Sequence, residues 1–143
     1  MSAPLERCRE IRGFEALVGA LGYDSLTDWL ARWAAIDGLS LAREAWPVGV
    51  DPRWIASVGL PLLDHVQQSP PRSLLGLAAM PGCGKSTLCA WIKEAAARLG
   101  MAVEVVSLDD FYFPGEQLES AMAGNPWQAP RGIPGSHDVG LLL

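Results

Sequence analysis

Residues 79–87 read Ala-Met-Pro-Gly-Cys-Gly-Lys-Ser-Thr, a Walker A pattern with Ala79 where the first glycine usually stands. In such a turn successive backbone N–H groups point into one concavity at the positive end of a helix, an arrangement that holds a polyphosphate. Gly82 and Gly84 supply torsions and a close approach that a Cβ would obstruct. The predicted nucleotide-binding residues are Pro81, Gly82, Cys83, Gly84, Lys85, Ser86 and Thr87. Lys85 is expected to reach the β- and γ-phosphates of ATP, and Ser86 to offer its hydroxyl to Mg²⁺. Ala79 falls at a strand end, where a small residue with ordinary extended torsions suffices. Cys83 has two readings, a redox-sensitive thiol beside a helix N-terminus or a small residue tolerated by the loop.

A second cluster, Ser107-Leu-Asp-Asp-Phe-Tyr112, follows a short apolar run. Ligands of open α/β sheets bind beyond the carboxyl ends of strands, so carboxylates here are expected to face the phosphate loop. Asp109 or Asp110 could then accept the proton of an attacking hydroxyl. The alternative is a solvated acidic loop in which Phe111 and Tyr112 simply pack.

These residues need a strand, a helix and a second strand to hold them. Ser73–Ala79 is a continuous apolar run of the kind buried on both faces of a parallel sheet, Lys85–Leu99 has helical spacing with Gly100 just past its end, and Ala102–Ser107 reads as another strand. Their order implies a right-handed crossover. The expected fold class is therefore α/β, an incomplete parallel-sheet core of strand, phosphate loop, helix and strand, with an all-helical extension before it. The boundary is placed near Ser69-Pro70-Pro71, giving an extension over 1–69 and the first part of the α/β domain over 70–143. Within the extension, apolar residues from Leu5 to Leu21 form a helical stripe that stops at Gly22. Ser25 caps a helix that carries Trp29 and Trp33 on one face. A short helix is expected from Leu39 to Trp46, and another opens at Asp51-Pro52 with a kink at Pro61.

Composition narrows the function classes. The 143 residues are 50% hydrophobic and 19% charged with a net charge of −5, which excludes a disordered tail and a basic nucleic-acid binder. Neither half of the chain is net positive, so an anionic ligand must be held by a local site. The charged first residues and the lack of a long apolar stretch point to a cytosolic protein without secretory signal or membrane span. Cys8, Cys83 and Cys89 lack metal-ligand spacing and suit reduced thiols.

The run of Walker A loop, Ser-Leu-Asp-Asp-Phe-Tyr, Asn125-Pro126 and Arg-Gly-Ile-Pro-Gly-Ser-His-Asp over 131–138 resembles D-glycerate 3-kinase and its relatives. These lie within the wider P-loop group of uridine kinase, phosphoribulokinase and bacterial pantothenate kinase. The Ser-x-Asp-x-Phe-Tyr core is common to much of that group, and the 131–138 segment points to the glycerate kinase branch. The resemblance covers about residues 60–143. It implies ATP and Mg²⁺ as cofactors and D-glycerate as substrate. It makes Asp109 the catalytic base with Asp110 as its neighbour and Lys85 as the phosphate cation. Tyr112, Arg131, His137 and Asp138 become substrate-binding residues, arginine being suited to a planar carboxylate. His137 has a second reading, since Ser136 and Asp138 resemble a helix cap.

A kinase of this kind needs about five parallel strands, a later acidic strand end and a lid. With two convincing strands, the sequence is expected to be the N-terminal part of such an enzyme and inactive alone. A kinase for another hydroxylated metabolite (a nucleoside, sugar phosphate or pantothenate), a non-catalytic nucleotide-binding module, and a helical interaction module over 1–68 are the competing readings.

Overall fold

The computed structural model describes residues 5, 7–37, 40, 43–51 and 53–142. They fall in two compact units, Met1–Glu104 and Val105–Leu143.

The first unit is helical. A 3-10 turn over Arg7–Glu10 precedes helix α1 (Phe14–Ala20). The stripe expected to run unbroken from Leu5 to Leu21 is thus divided, because Gly13 takes φ +81°, a left-handed torsion that no α-helix contains. Helix α2 (Leu26–Ala35) starts as its sequence predicts. The Ser25 hydroxyl accepts from the Asp28 backbone N–H at 3.2 Å and donates to the Asp28 carboxylate at 2.6 Å. Leu26, Trp29, Leu30 and Trp33 are buried along one side. Of the helix expected over 39–46, Leu39, Leu41 and Ala42 lie outside the described residues, as does Pro52 of the next one.

Beyond Arg53 the chain forms a π-helical turn over Ile55–Gly59 and then helix α3 (Leu60–Gln68). Pro61 lacks the N–H that an α-helix would bond to the Ser57 carbonyl, and its ring crowds that carbonyl. The wider turn just before it relieves the conflict, so the irregularity sits ahead of the proline.

Helix α4 (Lys85–Arg98) buries Trp91, Ile92, Ala95 and Ala96 in the same core as α1, α2 and α3. It closes on Gly100 at φ +74°, with Met101 N–H donating to the Ala96 carbonyl at 2.9 Å and Gly100 N–H to Ala97 at 3.0 Å. This is the paired bonding of a glycine-terminated helix. Arg98 on its last turn pairs with Glu94 at 3.1 Å and with Glu44, and Lys93 pairs with Glu104 at 2.6 Å.

Two contacts lock these helices. Asp64 on α3 is fully buried. One of its carboxylate oxygens accepts from Trp29 Nε1 at 2.5 Å and Trp33 Nε1 at 3.0 Å, while the other accepts from Tyr23 Oη at 2.9 Å and pairs with Arg32 at 2.9 Å. The second contact is steric. Gly59 lies so close to Trp91 that a Cβ there would sit 2.8 Å from two atoms of the indole and 3.4 Å from Trp46, whose ring meets Trp91 edge-on at 5.1 Å.

The stretches 73–80 and 101–107 carry no helix and, among the described residues, no ladder. Most of their apolar side chains are open, Leu74 at 94% and Val106 at 63% exposure, while Met101 and Val103 pack half-buried against the core. In the second unit a 3-10 turn (Leu108–Phe111), helix α5 (Gly115–Met122) and helix α6 (Val139–Leu142) surround one antiparallel bridge between Tyr112 and His137.

Overpacking at a site like Gly59 costs about 1–3 kcal/mol. Gly59→Ala is expected to lose that much in urea denaturation by prying α4 from the π-turn. Tyr23 offers a pH test. Burial first, and then the hydrogen bond to Asp64, push its phenol from 10.0 up to about 12. The protonated phenol is the form the fold favours, so its stabilising contribution is complete below pH 10.0 and is lost as pH rises through about 12. Ultraviolet titration should show a late phenolate component that Tyr23→Phe removes.

Candidate functional site

The loop expected to hold phosphate grows out of the open stretch 73–80 and ends in α4. Gly82 and Gly84 take φ +74° and +90°, on either side of Cys83, and Gly84 immediately precedes the first helical residue, Lys85. A Cβ at either glycine would meet nothing within 4 Å. The need for glycine there comes from torsion alone, not from a close approach that a Cβ would obstruct. The loop closes on itself through Cys83 N–H to the Met80 carbonyl at 3.4 Å, and α4 begins with Leu88 N–H to the Gly84 carbonyl at 2.9 Å.

Lys85 folds back over the loop. Its ammonium donates to the Ala79 carbonyl at 2.8 Å and the Met80 carbonyl at 3.0 Å, so the strongest cation at the loop is held over it by the loop's own oxygens. Pro81, Cys83, Ser86 and Thr87 are exposed along the same turn. The Ser86 hydroxyl on the first helical turn is the oxygen that would hold Mg²⁺. Cys83 is an exposed thiol and Cys89 a half-buried one. Among the described residues no group of three or more His, Cys, Asp or Glu side chains could hold a metal by itself.

The second unit gathers the remaining predicted residues. Asp109 and Asp110 are exposed on the 3-10 turn, which opens with the Ser107 hydroxyl accepting from the Asp109 N–H at 3.3 Å. Tyr112 pairs with His137 across the bridge. Their rings stack at 4.2 Å and 25°, and the Arg131 guanidinium lies 5.4 Å from the Tyr112 ring centre. Phe113 N–H to the Ser136 carbonyl at 3.1 Å and Asp138 N–H to the Phe111 carbonyl at 2.7 Å seal the pairing. Tyr112, Arg131 and His137 are therefore brought into one stack. Asp138 uses a carboxylate oxygen to accept from Leu141 N–H at 3.1 Å, capping α6.

Two residues outside the expected site set support it. Ser136 is fully buried, with its hydroxyl on the Ile133 carbonyl at 2.7 Å and beside His137 Nδ1 at 3.2 Å. Asn125 ties the loop before Arg131. Its amide donates to the Met122 and Ala129 carbonyls at 2.7 and 3.0 Å, and its oxygen accepts from Ala129 N–H at 3.1 Å. The Asn-Pro pair was the available signal, since asparagine before proline favours a turn.

Comparison with known proteins finds relatives that the chain matches over part of their length. The chain is 40% identical over 72 residues to "Uncharacterized kinase mug58" of Schizosaccharomyces pombe, covering 48% of this chain and 26% of that protein. It is 38% identical over 83 residues to "Putative uridine kinase C227.14" of the same yeast, covering 57% of this chain and 34% of that protein. Both relatives carry kinase names. The chain spans about a quarter to a third of the length of these curated relatives. No protein-family model and no solved structure matches it. Among the described residues no helix is long and apolar enough to cross a membrane.

A β-carbon in the left-handed region costs roughly 1–2 kcal/mol, which asparagine partly recovers. Gly84→Ala should therefore lower the denaturation free energy by about that amount, with Gly84→Asn losing less. Both should leave the Trp91 environment intact by fluorescence.

Proposed function

We propose that this chain is the nucleotide-binding part of an ATP-dependent small-molecule kinase, with D-glycerate as the phosphoryl acceptor. The observation that carries the reading is the loop itself: two left-handed glycines around Cys83, a helix beginning at Lys85, and an ammonium poised above. Similarity to two kinase-named proteins supports it. In this reading the open stretches 73–79 and 102–107 are strands of a parallel sheet, which suits their continuous apolar sequence.

ATP phosphates would occupy the loop, and Lys85 would exchange the Ala79 and Met80 carbonyls for phosphate oxygens. That swap keeps the ammonium satisfied before and after binding, so the net gain comes from charge. Ser86 would hold Mg²⁺, which neutralises charge on the phosphates when bound. Asp109 would accept the proton of the acceptor hydroxyl, a contribution on the order of 10² to 10⁴ in rate. Arg131 would bind the acceptor's carboxylate, with Tyr112 and His137 beside it. The remaining acceleration in phosphoryl transfer is positional and electrostatic.

A second reading, a nucleoside acceptor, is favoured by the name of the relative called a uridine kinase. Phosphorylation assays with D-glycerate, uridine, pantothenate and ribulose 5-phosphate discriminate between the two.

Lys85→Ala should weaken ATP binding to the full chain by about 1.5–3 kcal/mol in calorimetry. Asp109→Asn should keep ATP binding and lose most turnover in an active, longer relative, with Asp110→Asn doing less damage. Unchanged ATP affinity in folded Lys85→Ala refutes the phosphate-loop assignment.

A further inference from the structure

Arg72 stands at the head of the open stretch in a conformation that its residue type rarely takes. The turn Pro70-Pro71-Arg72-Ser73 is closed by the Ser73 N–H and hydroxyl, which both donate to the Pro70 carbonyl, at 3.1 and 2.7 Å. Its third residue, Arg72, has φ +65°, a left-handed torsion that turns of this kind reserve for glycine. A β-carbon there is strained. The arginine is exposed, as is every residue from Pro70 to Met80. Among the described residues, 74–78 make no backbone hydrogen bond.

Serine proteases take a substrate as an extended strand and read the side chain before the scissile bond in a specificity pocket. A pocket floored by a carboxylate pairs with the fork of an arginine. At Arg72–Ser73 the chain after the bond is already open and unpaired, and drawing the turn out releases Arg72 from its strained torsion. Arg32, Lys85, Lys93 and Arg98 are poorer targets, since α2 or α4 would have to unwind first. Arg131 sits over the Tyr112 ring beside a loop tied by Asn125.

A cut at this bond divides α3 from α4 in sequence but not in space. Trp91 and Ala95 of α4 share one core with Ile55 and Leu60, the Trp91 ring abuts Gly59 and Trp46, and the Arg98–Glu44 ion pair would join the two pieces. Residues 79–87, with Lys85 on the Ala79 and Met80 carbonyls, stay whole on the second piece.

We infer that the Arg72–Ser73 bond is a processing site for a serine protease of trypsin-like specificity, and that the cut chain persists as a two-piece particle. Water supplies the oxygen that bonds to the Arg72 carbonyl carbon. The carbon–nitrogen bond to Ser73 breaks, leaving a carboxylate on Arg72 and an ammonium on Ser73. The site rests on the open stretch of this chain and not on the kinase reading.

Brief digestion of the full chain with trypsin, read by mass spectrometry, tests the site. The first products should be 1–72 and 73–143, whose masses sum to that of the chain plus one water. They should co-elute on a native sizing column and part in urea. Once cut, the melting temperature should fall on dilution, because association of the pieces has become bimolecular. Arg72→Gly suits the torsion and should keep the fold, by tryptophan fluorescence, while losing the cut. Arg72→Lys should be cut as the wild type is. A first cut after any other basic residue overturns the site, as does a cut after residue 72 that survives in Arg72→Gly. Pieces that separate on the native column overturn the two-piece particle.

Discussion

The helical unit is organised around a carboxylate where hydrophobic packing alone would place a leucine. Asp64 has no exposed surface, and a buried carboxylate without partners would cost far more than a small domain can spare. Two indoles, a phenol and a guanidinium answer that demand. Because Trp29, Arg32 and Trp33 lie within two turns of α2, all three can reach Asp64 only at one rotation and one offset of α2 against α3. An apolar seam tolerates sliding; this cluster does not. Once α3 is fixed, so is the π-turn before it, and through Gly59 and Trp91 so is α4, whose first residue is Lys85. A buried carboxylate on α3 thus helps to determine where α4 is pinned.

Local chemistry was the legible part of the sequence. The Ser25 cap, the Gly100 terminus and the glycine torsions at 82 and 84 each depend on a few neighbours in the chain, and the structure has each of them. Asp64 was not legible, because an acid on an amphipathic helix looks the same whether it meets solvent or two tryptophans. The break at Gly13 was missed because apolar spacing continues through it. The sequence points to a kink at Pro61, whereas the irregularity is a π-turn just before it. Strand pairing is the most remote information of all, since an extended segment needs a neighbour that its own sequence does not specify.

The candidate site divides in the same way. The left-handed glycine turn at 82–84, running into a helix at Lys85, could be read from nine consecutive residues. The Tyr112–His137 stack could not, since it joins positions 25 residues apart through a bridge, and Ser136 looked like a cap residue. In the fold the capping oxygen belongs to Asp138, which releases Ser136 for the interior.

The open stretch 73–80 has a consequence for how the molecule is made. Helices α1, α2 and α3 precede it, α2 and α3 joined through the Asp64 cluster and α1 packed on α2 through Phe14 and Trp29, so a ribosome delivers them first and they can begin to associate while the later residues are still in the exit tunnel. What emerges next is a sticky ribbon with unpaired amides and Leu74 in full contact with water. Extended apolar ribbons of that kind are what chaperones grip and what neighbouring nascent chains adhere to. In the fold described the ribbon stays open to solvent, which makes it the stretch of the chain most exposed to such adhesion during synthesis.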